Sequence, residues 1–173
     1  SILAGIHRET ENARAGKPAR IIAKMNSLLE FNVMKALYEA SCAGVTIDLI
    51  IRGICGIRPG IKGVSENIQV RSIVGRFLEH HRVFCFENDG DPEVFISSAD
   101  WLDRNFFRRV ETCTPIEDEQ LKKIVMEQGL QVYLNDNTNA WILQQDGSYT
   151  RAQPERADDQ FSSQQFLMDT LSA

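Results

Sequence analysis

The sequence predicts an α/β domain in which helices flank a mixed β-sheet. Three observations point there: a strand–helix–strand unit over residues 19–51, a hairpin pattern over residues 82–100, and helical periodicity from Glu117 onward. The chain has 173 residues, 43% of them apolar and 25% charged. That composition supplies one packed core and excludes wholesale disorder, so residues 1–173 are expected to form a single domain.

Each element follows from local pattern. Residues 3–15 are polar with sparse apolar positions and predict a helix, ended by Gly16, Lys17 and Pro18; residues 1–18 are thus an N-terminal helix and linker. The short apolar run ARIIAKM at 19–25 predicts a buried strand. Leu28, Leu29, Val33, Leu37 and Ala40 recur at helical spacing between Asn26 and Ser41, and Gly44 is a natural helix stop. VTIDLII at 45–51 is rich in β-branched residues and predicts a strand parallel to the first, joined by a right-handed crossover. A glycine-rich loop, 52–67, leaves that strand where α/β proteins place ligand sites. IQVRSIV predicts a third strand. RVFCFEN and EVFISSAD predict a hairpin turning at Asp89–Gly90–Asp91–Pro92, and RRVETCTP, 108–115, predicts another strand stopped by Pro115. The segment 117–173 is expected to be helical at 117–126, 131–143 and 160–171, with a polar loop at 147–159.

Charge and composition narrow the function. The net charge of −5 is uneven: Arg52, Arg58, Lys62, Arg71, Arg76 and Arg82 oppose only Glu66 and Glu79, so residues 50–82 sum to +4. A basic centre in an acidic chain points to an anionic ligand met locally, and argues against a protein that coats nucleic acid. The most apolar stretch, Val45 to Ile57, is broken by Asp48 and Arg52, which excludes a transmembrane span there. The N-terminal residues lack the apolar stretch of a signal peptide. Cys42, Cys55, Cys85 and Cys113 form no CxxC pair, so a structural zinc site is not expected, and four lone cysteines fit a reducing cytosol.

Of His7, His80 and His81, His80 stands out. His80, Arg82 and Glu87 form H-x-R-x4-E, and SSAD at 97–100 follows on the hairpin partner. This resembles the H-x-K-x4-D and G-S-x-N pattern of the phospholipase D superfamily, with Arg82 for the lysine, Glu87 for the aspartate, and Ser98 and Asp100 for the serine and asparagine. Two residues apart on a strand, His80 and Arg82 are expected to face one side, aiming an imidazole and a cation at one phosphate. Arg82 could equally be tied to Glu87 or Glu79. The wider stretches RGICGIRPG, RFLEHHRVF and SSADW resemble the C-terminal part of bacterial polyphosphate kinases of the histidine-intermediate type, over most of the run from Glu9 to beyond Pro115.

That resemblance implies the second of two phospholipase-D-like domains in a larger enzyme. Such an enzyme passes the γ-phosphate of ATP reversibly to inorganic polyphosphate, leaving ADP, through a phosphohistidine in the preceding domain. It implies that His80 is a second active-site histidine and that Arg52, His80 and Arg109 bind ATP phosphates. Lys24 and Asn26, at the end of the first strand, and Arg82, Ser98 and Asn105 are candidates for support, although Asn105 is as readily a turn cap and Arg109 a salt-bridge partner of Glu111. Arg58, Lys62, Arg71 and Arg76 are candidates to line a channel for a polyanion. Trp101 is expected in the core. Magnesium is expected to arrive with the nucleotide and other domains, with no metal ligand from this chain. The resemblance also implies a homo-oligomeric parent in the cytoplasm, at most peripheral to a membrane, and a fragment inactive alone. The alternatives are a phospholipase-D-like phosphodiesterase, which would need a second motif from a partner copy, and a non-catalytic polyanion-binding module. An apolar patch near His80 and Arg52 is expected where neighbouring domains would sit.

Overall fold

A strand buried on both faces must be apolar at consecutive positions, and the first two strands are. In β1 (Arg20–Met25), Ile21, Ala23 and Met25 face one side and Ile22 and Lys24 the other. β2 (Thr46–Ile51) pairs with it in parallel, Met25 opposite Ile51, as the crossover through α2 (Phe31–Cys42) requires. The computed structural model describes residues 1–172, Phe107 by its backbone alone. Its eight-stranded sheet has the order β6-β5-β4-β1-β2-β3-β7-β8. Here β3 is Ile68–Ile73, β4 Arg82–Phe86, β5 Glu93–Ser97, β6 Cys113–Pro115, β7 Ala140–Leu143 and β8 Tyr149–Arg151. The β2–β3 pair is also parallel and all others are antiparallel, so the sheet is mixed.

α1 (Ile2–Arg14) and α2 cover one face, packing Ile6, Val33, Leu37 and Ala40 on Ile47, Leu49, Phe84 and Phe86. Both helices are capped by side chains: Ser1 accepts from Ala4 N, and Glu30 accepts from Val33 N at 2.6 Å. Gly44, at φ +99°, ends the α2 turn as its position predicts. α4 (Glu119–Met126), a π-helical turn at Glu127–Gln131 and α5 (Val132–Leu134) cover the other face, with Leu130, Val132 and Tyr133 against Ile22, Ile50 and Val83. The C-terminal helix α6 (Ser163–Leu171) returns to the edge formed by the segment after β3.

Three expectations are corrected. The helix expected over 131–143 stops at Leu134; Asn135 to Asn139 form a turn around Asp136, whose carboxylate accepts from Thr138 N and Asn139 N, and residues 140–143 are β7. The polar loop at 147–159 contains β8, which pairs with β7. The strand expected over 108–115 shrinks to β6, preceded by the short helix α3 (Asp103–Phe107).

Candidate functional site

β1 and β2 end side by side, so the next residues, Asn26 and Arg52, leave the sheet together. Arg52 Nε donates to Asn26 Oδ1 at 2.6 Å. Gly53 N donates to Asn26 O at 2.8 Å, and a Cβ on Gly53 would lie 2.8 Å from that oxygen, so the close approach needs glycine. The third contributor arrives from β5. Trp101, fully buried on Phe84 with ring centroids 5.0 Å apart, donates from its backbone N to Ser27 O and accepts from Leu29 N and Glu30 N. This pins 99–102 against 26–30 and presents Asp100 to Asn26, whose backbone N donates to Asp100 Oδ1 at 2.8 Å.

The same carboxylate takes Arg82 Nε at 3.0 Å, and Arg82 Nη1 donates to the His80 carbonyl at 2.9 Å. Arg52 Nη2 meets His80 Nδ1 at 3.2 Å. The chain Arg52–Asn26–Asp100–Arg82–His80 thus closes on itself as a ring of polar contacts. A guanidinium has only donors, so Nδ1 accepts and Nε2 carries the proton, free to be offered to an oxyanion. His80 is exposed, while Asp100 and Asn26 are buried beneath it.

The expected placement of His80 changes. The strand starts at Arg82, and His80 lies in the extended segment before it, so the two do not project as strand neighbours. Arg82 turns to Asp100 rather than to Glu87 or Glu79. Lys24, only 5% exposed, has its ammonium 2.7 Å from Glu79 and over the Tyr133 ring at 4.6 Å. Burial lowers its pKa, and Glu79 opposes that shift. A cavity of about 370 Å³ lies beside the ring, lined among others by Lys24, Arg52, Arg76, Phe77 and Glu79. Of the four candidate channel residues, only Arg76 lines it, its guanidinium 5.7 Å from the Phe77 ring. Arg71 is bound to the carbonyls of Tyr133 and Leu134, and Arg58 to that of Gln145. Val74, Phe77 and Leu78, which line this cavity, are exposed, as are Leu29, Phe31 and Ile54 on other segments.

Arg109, Ser98 and Asn105 belong to a neighbouring cluster. Ser98 and Asn105 donate to the Glu111 carboxylate, and these two bonds hold the carboxyl below its usual range. Asn105 therefore braces the returning chain instead of capping a turn. Arg109 lies in a bend before β6, not on a strand with Glu111, and lines a separate cavity of about 240 Å³. Among the described residues no hydrogen bond joins it to the ring. Sequence reading missed Tyr133 and Gln164, which come from distant segments and carry no local motif, and offered Glu79 only as a partner for Arg82 rather than for Lys24; Asp100 was legible only through SSAD.

The groups facing the ring and its cavity are cationic or neutral save two carboxylates, Asp100, already engaged by Asn26 and Arg82, and Glu79, already engaged by Lys24 and Gln164. This donor set does not fit a magnesium ion held directly by the chain. It fits an anion.

Residues 1–164 match the family described as polyphosphate kinase C-terminal domain 2. The chain is 60% identical over 170 residues to polyphosphate kinase from Neisseria gonorrhoeae, covering 98% of this chain and 25% of that protein. It is 60% identical over 150 residues to polyphosphate kinase from Burkholderia ambifaria, covering 87% and 22%. The crystal structure of polyphosphate kinase from Porphyromonas gingivalis superposes with a TM-score of 0.93 at 40% identity, covering 99% of this chain and 26% of that one. The phospholipase D family member Nuc from Salmonella typhimurium, 16% identical with a TM-score of 0.52, shares the fold. The chain spans about a quarter of the length of the polyphosphate kinases it matches.

Proposed function

The chain belongs to the polyphosphate kinase C-terminal domain 2 family, and from that premise we propose that it works as one part of a longer polyphosphate kinase. That enzyme would transfer the γ-phosphate of ATP reversibly to inorganic polyphosphate, leaving ADP, through a phosphohistidine outside this chain. The observation that carries the reading is the Arg52–His80 contact at 3.2 Å, held over buried Asp100. Phosphoryl transfer needs mainly positioning and charge stabilisation, which this pair supplies.

In this reading the transferring phosphoryl sits against the exposed edge of the ring. Arg52 lends its fork to the phosphate oxygens, and His80 offers the Nε2 proton to an oxygen as charge develops there. Asn26 orients Arg52. Asp100 and Arg82 hold the His80 backbone. Arg109, on the neighbouring cavity, is a second contact for the ATP phosphates. Magnesium, carried by the nucleotide, would neutralise its phosphates, and no residue here is assigned to it. The parent is proposed to act in the cytoplasm as a homo-oligomer. In the phosphodiesterase alternative Arg82 would be the catalytic cation, but its guanidinium is engaged by Asp100.

The test is polyphosphate formation from ATP by the full-length enzyme and its His80→Ala and Arg52→Ala variants. Each substitution should lower kcat by about 10²–10³-fold, the usual loss when one donor to a developing oxyanion is removed. A folded His80→Ala enzyme of unchanged rate would end the reading.

A further inference from the structure

The segment that carries His80 has no strand partner of its own. Residues 74–81 lie between β3 and β4, and most are exposed. A histidine on such a segment would wander unless something fixed the backbone before it. On its far side the His80 carbonyl is held by Arg82. On its near side the hold comes from the other end of the chain.

Gln164 of α6 is 5% exposed, and its amide makes three hydrogen bonds to that segment. Phe77 N donates to Oε1 at 2.9 Å, and Nε2 donates to Phe77 O and to Glu79 Oε1, both at 2.9 Å. The amide therefore reads both backbone groups of Phe77 as a neighbouring strand would, and also takes the carboxylate one residue before His80. The other Glu79 oxygen is 2.7 Å from Lys24 Nζ of β1. Gly75 closes the fit: a Cβ there would lie 2.5 Å from Gln164 Oε1. The amide could give way only by losing these bonds. α6 is itself fixed at this point, since Ser163 N and Oγ both donate to Asp136, at 2.8 and 2.7 Å.

We propose that Gln164 is a positioning residue for the phosphoryl transfer, acting through Phe77 and Glu79 to fix His80 against Arg52. The inference rests on the functional reading above and gives α6 a role in it. It accounts for an amide at position 164: a donor is needed for Phe77 O and Glu79, and an acceptor for Phe77 N. Glutamate has the same shape but no donor, and it would set a second carboxylate against Glu79.

The test uses full-length enzyme, assayed for kcat and KM for ATP below the unfolding temperature of every variant. Gln164→Ala should lower kcat about tenfold with KM nearly unchanged, within the range seen when a reacting group is misplaced by a fraction of an ångström. Gln164→Glu should fall further than Gln164→Ala, an order that packing alone would reverse. Leu37→Ala, a core change beneath the opposite face, should destabilise the protein yet keep its kcat. If Gln164 variants do not fold, Gly75→Ala, which crowds the amide without removing it, should show the same loss of kcat. Wild-type kcat in folded Gln164→Ala or Gly75→Ala, or an equal fall in Leu37→Ala, overturns the proposal. Wild-type enzyme that forms no polyphosphate, or forms it regardless of His80→Ala, instead overturns the functional reading on which it rests.

Discussion

Asp100 shows how one side chain sets a site it need not touch. Its buried carboxylate receives Asn26 N and Nδ2 and Arg82 Nε and Nη2, so four donors from two strand ends converge on one group. Asp100→Ala leaves the Arg82 charge and a buried N–H unpaired, and should cost about 3–5 kcal/mol of stability, measurable by urea titration. Asp100→Asn keeps an acceptor for Asn26 N and should cost less. Arg52→Lys is not conservative here. Lysine keeps the charge but cannot reach Asn26 and His80 with separate nitrogens, so the full-length enzyme should lose at least tenfold in kcat/KM while its thermal midpoint barely moves.

The elements differ in how far their sequences disclosed them. β1, α2 and β2 were legible because their apolar periods are clean and Gly44 punctuates them. β7 was not, since four residues of strand follow an Asn/Asp turn that helical spacing masked. β6 and β8 have three residues each, too few to show a strand period, and are defined by their pairing with β5 and β7. The joint between α1 and the sheet makes a prediction at this scale. Glu9 is fully buried and accepts from Arg20 N and Asn88 N at the margins of β1 and β4. Burial raises its carboxyl above the ordinary 4.5, with the backbone donors opposing. A raised folded pKa favours the protonated fold. Its contribution is complete below about pH 4.5 and is lost as pH rises through the folded value. Stability measured across that window should fall less steeply in Glu9→Gln than in wild type.

At the scale of the molecule, sequence and structure agree on the mixed α/β sheet, and Asn26 and Arg52 stand just past the carboxyl ends of its parallel strands β1 and β2. Arg52 and His80 could be named from motif, but not their contact, because it depends on where the segment 74–81 is tethered. That tether comes from Gln164, 84 positions beyond His80. No helix is long and apolar enough to cross a membrane among the described residues. The cysteines provide a check on packing. Cys42 is exposed, whereas burial first, then Glu87, pushes the Cys85 thiol up to about 12. Under native alkylation Cys42 and the likewise exposed Cys113 should react first and Cys85 only on unfolding.

The central claim is that Arg52 and His80 act on one phosphoryl group as a unit. A double-mutant cycle on kcat/KM in the full-length enzyme tests it most directly, using Arg52→Ala, His80→Ala and the pair. Residues in contact at one site should be coupled, so the double variant should lose markedly less than the two single losses combined, by about 1 kcal/mol or more. Losses that add to within about 0.5 kcal/mol would show two independent residues and contradict the account.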